Sequence, residues 1–314
     1  LAARESIALI EKGADRLAFY GVSGAFESAI ALPPYPHEMA RDPDGRTAYI
    51  GHYGALNSAD PAPGGSTVIV IDLLERRILS QIDLRPYRRL HGLQCDGRGR
   101  LFVLAEADDM LLVVEKPKAQ KIATRAVRTS GVKGHLVAVT ANGERAFCAN
   151  LLSHSITRVA PFSAATTPLV IEPGPKPEGI CLSADEGRLM VLNRGDASLA
   201  QVDAQSGRVT RTVRLRGEAT RIYRHGADAF MLTSYADQSV SLLDAKTLAE
   251  RAYLNLGGRV TAASLHPERP EALASLETHH LVRIDLCSFT EISRFATGRD
   301  PDVSTFVRHA GATA

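Results

Sequence analysis

One pattern recurs along this chain, and its period restricts the fold more than any other feature. A polar residue opens an apolar stretch, a turn follows, and a second apolar strand returns. The pattern reads PHEMARDPDGRTAYIGH at 36–52 and LHGLQCDGRGRLFVLAE at 90–106. It continues as GHLVAVTANGERAFCAN (134–150) and PEGICLSADEGRLMVLN (177–193). Weaker copies lie at 219–235, 260–277 and 301–307. The lead residues are His37, His91, His135, Glu178, Thr220, Thr261 and Asp302, at steps of 54, 44, 43, 42, 41 and 41. A period near 42 is that of one four-stranded propeller blade. Within each copy the apolar residues alternate with period two, and Gly, Asp and Asn mark the turns.

The seventh copy stops after one strand. Three strands at the other end of the chain, SIALIE (6–11), RLAFYG (16–21) and FESAIAL (26–32), match the second, third and fourth strands of a blade. The expectation is therefore an all-β, seven-bladed β-propeller with four-stranded blades. It forms a single domain over 1–314, and its seventh blade is closed by N- and C-terminal strands. Pairing the two ends seals a ring that would otherwise expose free sheet edges.

The wording of the copies resembles the bacterial YVTN-type seven-bladed propellers. PHE…DPDGRTAYIG, HG…DGRGRLFV, HLVAVTANGERAFCAN and EGICLSADEGRLMVLN carry the likeness, which covers nearly the whole chain. Similar propellers include lactonase-like proteins, streptogramin B lyases, dehydrogenase subunits and surface proteins without known chemistry. The resemblance implies a fold and leaves the activity open.

Composition narrows the classes. Lys and Arg number 37 against 35 Asp and Glu, too even a balance for a nucleic-acid footprint. No apolar run reaches the roughly 18 residues of a membrane-spanning helix. Cys95, Cys148, Cys181 and Cys287 show no metal-finger spacing, and their apolar neighbours suggest buried free thiols. The chain begins at Leu1 without a recognisable signal peptide. A cytoplasmic location and a periplasmic or secreted one after leader removal both remain open.

In a propeller the start of each first strand and the end of each second strand share one channel mouth. The spacing between them is 15 in five copies and 16 in the sixth. That places an inner ring of lead residues beside an outer ring of His52, Glu106, Asn150, Asn193, Tyr235, Glu277 and Glu11. His37, His91, His135 and Glu178 lie on consecutive blades in one phase and form a candidate metal set. Three imidazoles and a carboxylate suit zinc, iron, manganese or copper better than calcium. His52 and Glu106 are candidate general bases or supporting groups, and Tyr235 and Arg194 complete the catalytic candidates. A polar pocket without metal uses the same residues.

The longer first copy contains GALNSADPAPGGS (54–66), a loop placed to cover the mouth. RPYRR (85–89) and Arg194 would favour an anionic small molecule, although a solvated basic loop also explains the former. No GxSxG, P-loop, GxGxxG or CxxCH motif is present. The leading expectation is a small-molecule enzyme performing metal-dependent hydrolysis or elimination at a lactone, ester or carbonyl centre. The alternatives are a metal-dependent oxidoreductase at the same site and a non-catalytic scaffold for ligands or proteins.

Overall fold

The computed structural model describes residues 5–163 and 166–309. Its strands form seven separate four-stranded antiparallel sheets. Six sheets are continuous in the chain, with first strands Pro36–Arg41, Leu90–Cys95, Gly134–Val139, Pro177–Leu182, Ala219–His225 and Val260–Leu265. These are blades one to six. The seventh takes its first strand, Pro301–Arg308, from the far end of the chain and adds Glu5–Glu11, Arg16–Gly21 and Phe26–Ala31. Ser6 pairs with Val307 and Ile7 with Phe306, so both ends share one sheet as the complementary half-copies require. There is no α-helix among the described residues, and no helix long and apolar enough to cross a membrane.

Burial follows position in the blade. Second strands are covered on both faces and read as continuous apolar runs, such as Leu101–Ala105, buried throughout. Fourth strands lie at the rim and are largely polar and exposed, as in Val209–Arg214. The core is divided among neighbouring blades. Between blades three and four, Phe147, Ala149 and Ile156 pack with Leu189, Val191 and Ala200. Turns between first and second strands are built by their Asp and Gly residues. Asp44 accepts the backbone N–H groups of Arg46 and Thr47 at 2.8 Å, and Gly45 supplies the positive φ of 71° that the turn needs.

Each first strand carries an irregularity where it opens onto the mouth. The register shifts after His37, between Leu90 and Leu93, between Gly134 and Val137, and between Pro177 and Ile180. It shifts again between Ala219 and Arg221, between Val260 and Ala262, and where Pro301–Arg308 meets the N-terminal strand. A bulge leaves its extra residue outside the ladder and re-aims the side chain. Every lead residue sits at or beside such a bulge, and all but Thr220, which is buried against Thr233, line the mouth.

The thiols are free as expected, but Cys95 and Cys181 are only partly buried and Cys287 departs furthest. All four cysteines are free and Cys148 is buried, but Cys287 is exposed in the turn after Asp285. That turn is solvated, and its apolar neighbour Leu286 points inward instead.

Candidate functional site

Four consecutive blades bring His37, His91, His135 and Glu178 to one wall of the mouth, around a cavity of about 310 Å³. His37 and His91 face each other with their Nε2 atoms 3.0 Å apart and their rings nearly perpendicular. His91 and His135 stack at 3.8 Å between centroids. The Nε2 of His135 lies 3.6 Å from Glu178 Oε1.

Carboxylates stand behind two of the three rings. His37 Nδ1 bonds Asp302 of the seventh blade, and His135 Nδ1 lies 3.4 Å from Glu106 Oε2. A ring fixed in this way presents its Nε2 to the cavity. His91 differs. It is only 3 % exposed, and its Nδ1 has no partner. Burial, then the charges of His135 and His37, hold its pKa well below the ordinary imidazole value, so it is neutral. Burial also opposes charge on His135, but Glu106 and Glu178 outweigh it and lift the pKa to about 9. Burial raises the Glu178 pKa, but His135 and Arg194 overcome this and bring it to about 2.

Among the described residues, the ligand atoms that lie within 4.8 Å of one another form two overlapping groups. One is His37, Glu38 and His91, and the other is His91, Glu106 and His135. The sequence-derived set of His37, His91, His135 and Glu178 is therefore gathered on one wall but not drawn into one such group. His91 is the member common to both.

The remaining candidates separate. Arg194 lines the cavity, where Nη1 donates to Glu178 Oε2 at 2.6 Å and Nε to Glu218 Oε1 at 2.5 Å. Tyr235 lines it too, with its ring 5.6 Å from the Arg194 guanidinium carbon. Glu106 stands one layer back, held by His135 and by the Tyr53 hydroxyl at 2.8 Å. His52 is not part of the lining. Its Nδ1 lies 3.4 Å from Thr67 Oγ1 on the next strand, and its ring packs against Gly65.

The outer ring as a whole does not converge on the cavity. Asn193 donates to Pro173 O and Ser198 Oγ, and Asn150 to Thr157 Oγ1 and Ser155 Oγ. Glu11 binds Arg16, Tyr20 and the N–H of Gly298. Glu277 is exposed beside Arg259. These side chains tie second strands to the neighbouring strands and connections.

The loop at 54–66 reaches the mouth, where Asn57 and Ser58 join the lining. Arg89 of the basic run fastens it by donating to the carbonyls of Ser58, Asp60 and Ala62. Arg85 pairs instead with Asp83 at the surface.

Four further residues join the site. Lys12 and Tyr53 line the mouth, with Lys12 Nζ 5.2 Å from the centre of the Tyr53 ring. Glu38 and Arg221 form an ion pair, Oε1 to Nη2 at 2.5 Å, between blades one and five. Each directly follows a lead residue, where the other copies carry Gly92, Leu136, Gly179, Ala262 and Val303. A charge at an otherwise small or apolar position was the available signal.

No family model matches the chain, and neither does any curated protein. Solved structures do. A functionally unknown protein from Desulfotomaculum acetoxidans DSM 771 superposes with a TM-score of 0.77 at 11% identity, over 97% of this chain and 98% of that one. Kuenenia stuttgartiensis hydrazine synthase gives 0.69 at 15% identity, over 84% and 87%. Dihydro-heme d1 dehydrogenase NirN, in complex with DHE, gives 0.65 at 13% identity, over 95% and 74%. What they share with this chain is the propeller. Two of the three carry enzyme names, and at these identities the likeness extends to the fold alone.

Proposed function

We propose that this propeller is a small-molecule enzyme working at the histidine-lined mouth with a divalent transition metal. His37 and His91 are the centre of the donor set, and His135 and Glu178 supply its remaining members. The observation that carries this reading is the orientation of the rings. His37 has Nδ1 backed by a buried carboxylate, which leaves Nε2 for the cavity, and His91 brings a neutral ring beside it; His135, backed by Glu106 and cationic without metal, would give up its Nε2 proton to bind one. Carboxylate-backed imidazoles are the usual support of metal-ligating histidines.

When bound, the metal would polarise a carbonyl oxygen or activate water. The chain's own residues supply binding and orientation. Arg194 and Lys12 present cationic groups to an anionic part of the substrate. Burial pushes the Tyr235 pKa up, which keeps its phenol protonated as a hydrogen-bond donor. Glu106 acts through His135 by fixing its ring. The reaction class is hydrolysis or elimination at a lactone, ester or carbonyl centre, as the resemblance to lactonase-like and lyase propellers suggests. Metal-dependent oxidation at the same donors is the second reading, supported by the neighbour named as a dehydrogenase.

Metal analysis of protein purified without a metal-affinity column, repeated on His91→Ala, tests both. Near-stoichiometric metal in the parent and its loss in the variant are expected. Zinc or manganese would favour hydrolysis or elimination, and copper or iron would favour oxidation. Protein that stays metal-free when offered each of the four metals would overturn the reading.

A further inference from the structure

A second and larger cavity, of about 440 Å³, lies in the channel beneath the mouth. Every blade contributes to it, through residues one to four places after the lead position of its first strand. Its volume is in the range of small-molecule sites. The walls are mostly apolar, with Met39, Leu93, Leu136, Ile180, Leu265 and Val303 among them.

The charged groups of this chamber are unequal. Arg41, Arg221 and Arg224 line it against a single carboxylate, Glu38. Arg41 donates to Gly45 O at 2.7 Å and Thr305 Oγ1 at 3.3 Å, and Arg224 reaches Ser183 O at 3.4 Å. Neither has a carboxylate within ion-pair distance among the described residues. Arg221 lines both cavities and therefore stands between them. It is 8 % exposed, and its Nε has no hydrogen-bond partner. A buried guanidinium with an unmet donor is costly, and a planar carboxylate matches its geometry.

We propose that the chamber binds a small amphipathic carboxylate, with an aliphatic or aromatic body against the apolar strands and its charge drawn to the arginines of the wall. The chamber lies below the histidine cluster, shares Arg221 with it, and does not depend on a metal there.

Calorimetric titration of the full chain with octanoate, octan-1-ol and octylammonium tests it. Octanoate is expected to bind about tenfold or more tighter than the alcohol, as a charged hydrogen bond would provide, and the ammonium more weakly than either. Leu136→Trp, which fills the chamber, and Arg224→Glu, which reverses a charge at its exposed edge, are each expected to weaken octanoate at least about tenfold. Circular dichroism would confirm that both variants fold, and either suffices if the other does not. His91→Ala should leave octanoate binding unchanged. Absence of octanoate binding, equal binding of the alcohol, indifference of a folded variant, or loss in His91→Ala would each overturn the proposal.

Discussion

His37 and Asp302 come from the first strands of blades one and seven, 265 residues apart, and meet through Nδ1 and a carboxylate oxygen. The bond crosses the interface between the blade that starts the run of complete copies and the blade that closes the ring. It holds the His37 ring with Nε2 toward His91. Asp302→Asn keeps the shape and removes the charge. The variant is expected to bind zinc or manganese about 10–100-fold more weakly while remaining folded. Competition titration with a chromophoric chelator measures this, and unchanged affinity would remove Asp302 from the supporting role.

Arg89 fastens the 54–66 loop to the mouth through three carbonyls. Arg89→Ala is expected to release that loop with little change in thermal midpoint, since loops open locally at low cost. Hydrogen exchange should quicken at Gly54 and Gly65, whose N–H groups now bond Tyr35 O and Tyr53 O. Blade cores should exchange as before. Unaltered exchange in the loop would show that its own turns hold it.

Glu5 joins blade seven to blade six. Its carboxylate meets His266 Nε2 at 2.9 Å and also pairs with Arg269. Burial opposes charge here, but Arg269 and His266 prevail and lower the pKa from 4.5. A depressed carboxylate contributes stability above its unfolded pKa and loses it as pH falls through the folded value. Glu5→Gln should therefore lower the thermal midpoint at pH 7, and the gap to the parent should close as pH falls below about 4.5. A gap that persists undiminished at pH 3 would assign the loss to packing instead.

Phe147 is fully buried between blades three and four, whereas Ile122 is 65% exposed. Phe147→Ala is expected to cost about 3–5 kcal/mol. Ile122→Ala should stay within about 0.5 kcal/mol of the parent. Urea unfolding measures both, and similar values would contradict the assigned core.

The fold was legible because seven copies repeat one period and the two incomplete ends complement each other. The lead residues were legible for a related reason: a fixed phase on equivalent strands puts them on one ring. Their exact convergence was not, because each sits in or beside a bulge, and a bulge aims its side chain by local backbone geometry. His52 and Asn193 show the limit of spacing. Both end second strands as expected, yet His52 turns toward Thr67 and Gly65, and Asn193 toward Ser198 and a neighbouring carbonyl. Position along a strand gives the level in the channel, while the next hydrogen-bonding partner decides where the side chain turns. Glu38 and Arg221 escaped notice because each charge is explained only by the other, and the two lie on blades that are not neighbours.

The pairing of Ser6 with Val307 also has a consequence for synthesis. At about 5–20 residues per second, a ribosome adds the partner of Ser6 roughly 15–60 s after Ser6 itself. For that interval the strand Glu5–Glu11 has one edge without its native neighbour, while complete blades can already form behind it. The strand Pro301–Arg308, made long after Ser6, is also the one that brings Asp302 to His37. A chain arrested before that strand would carry the histidines of blades one to three but lack the carboxylate that orients His37.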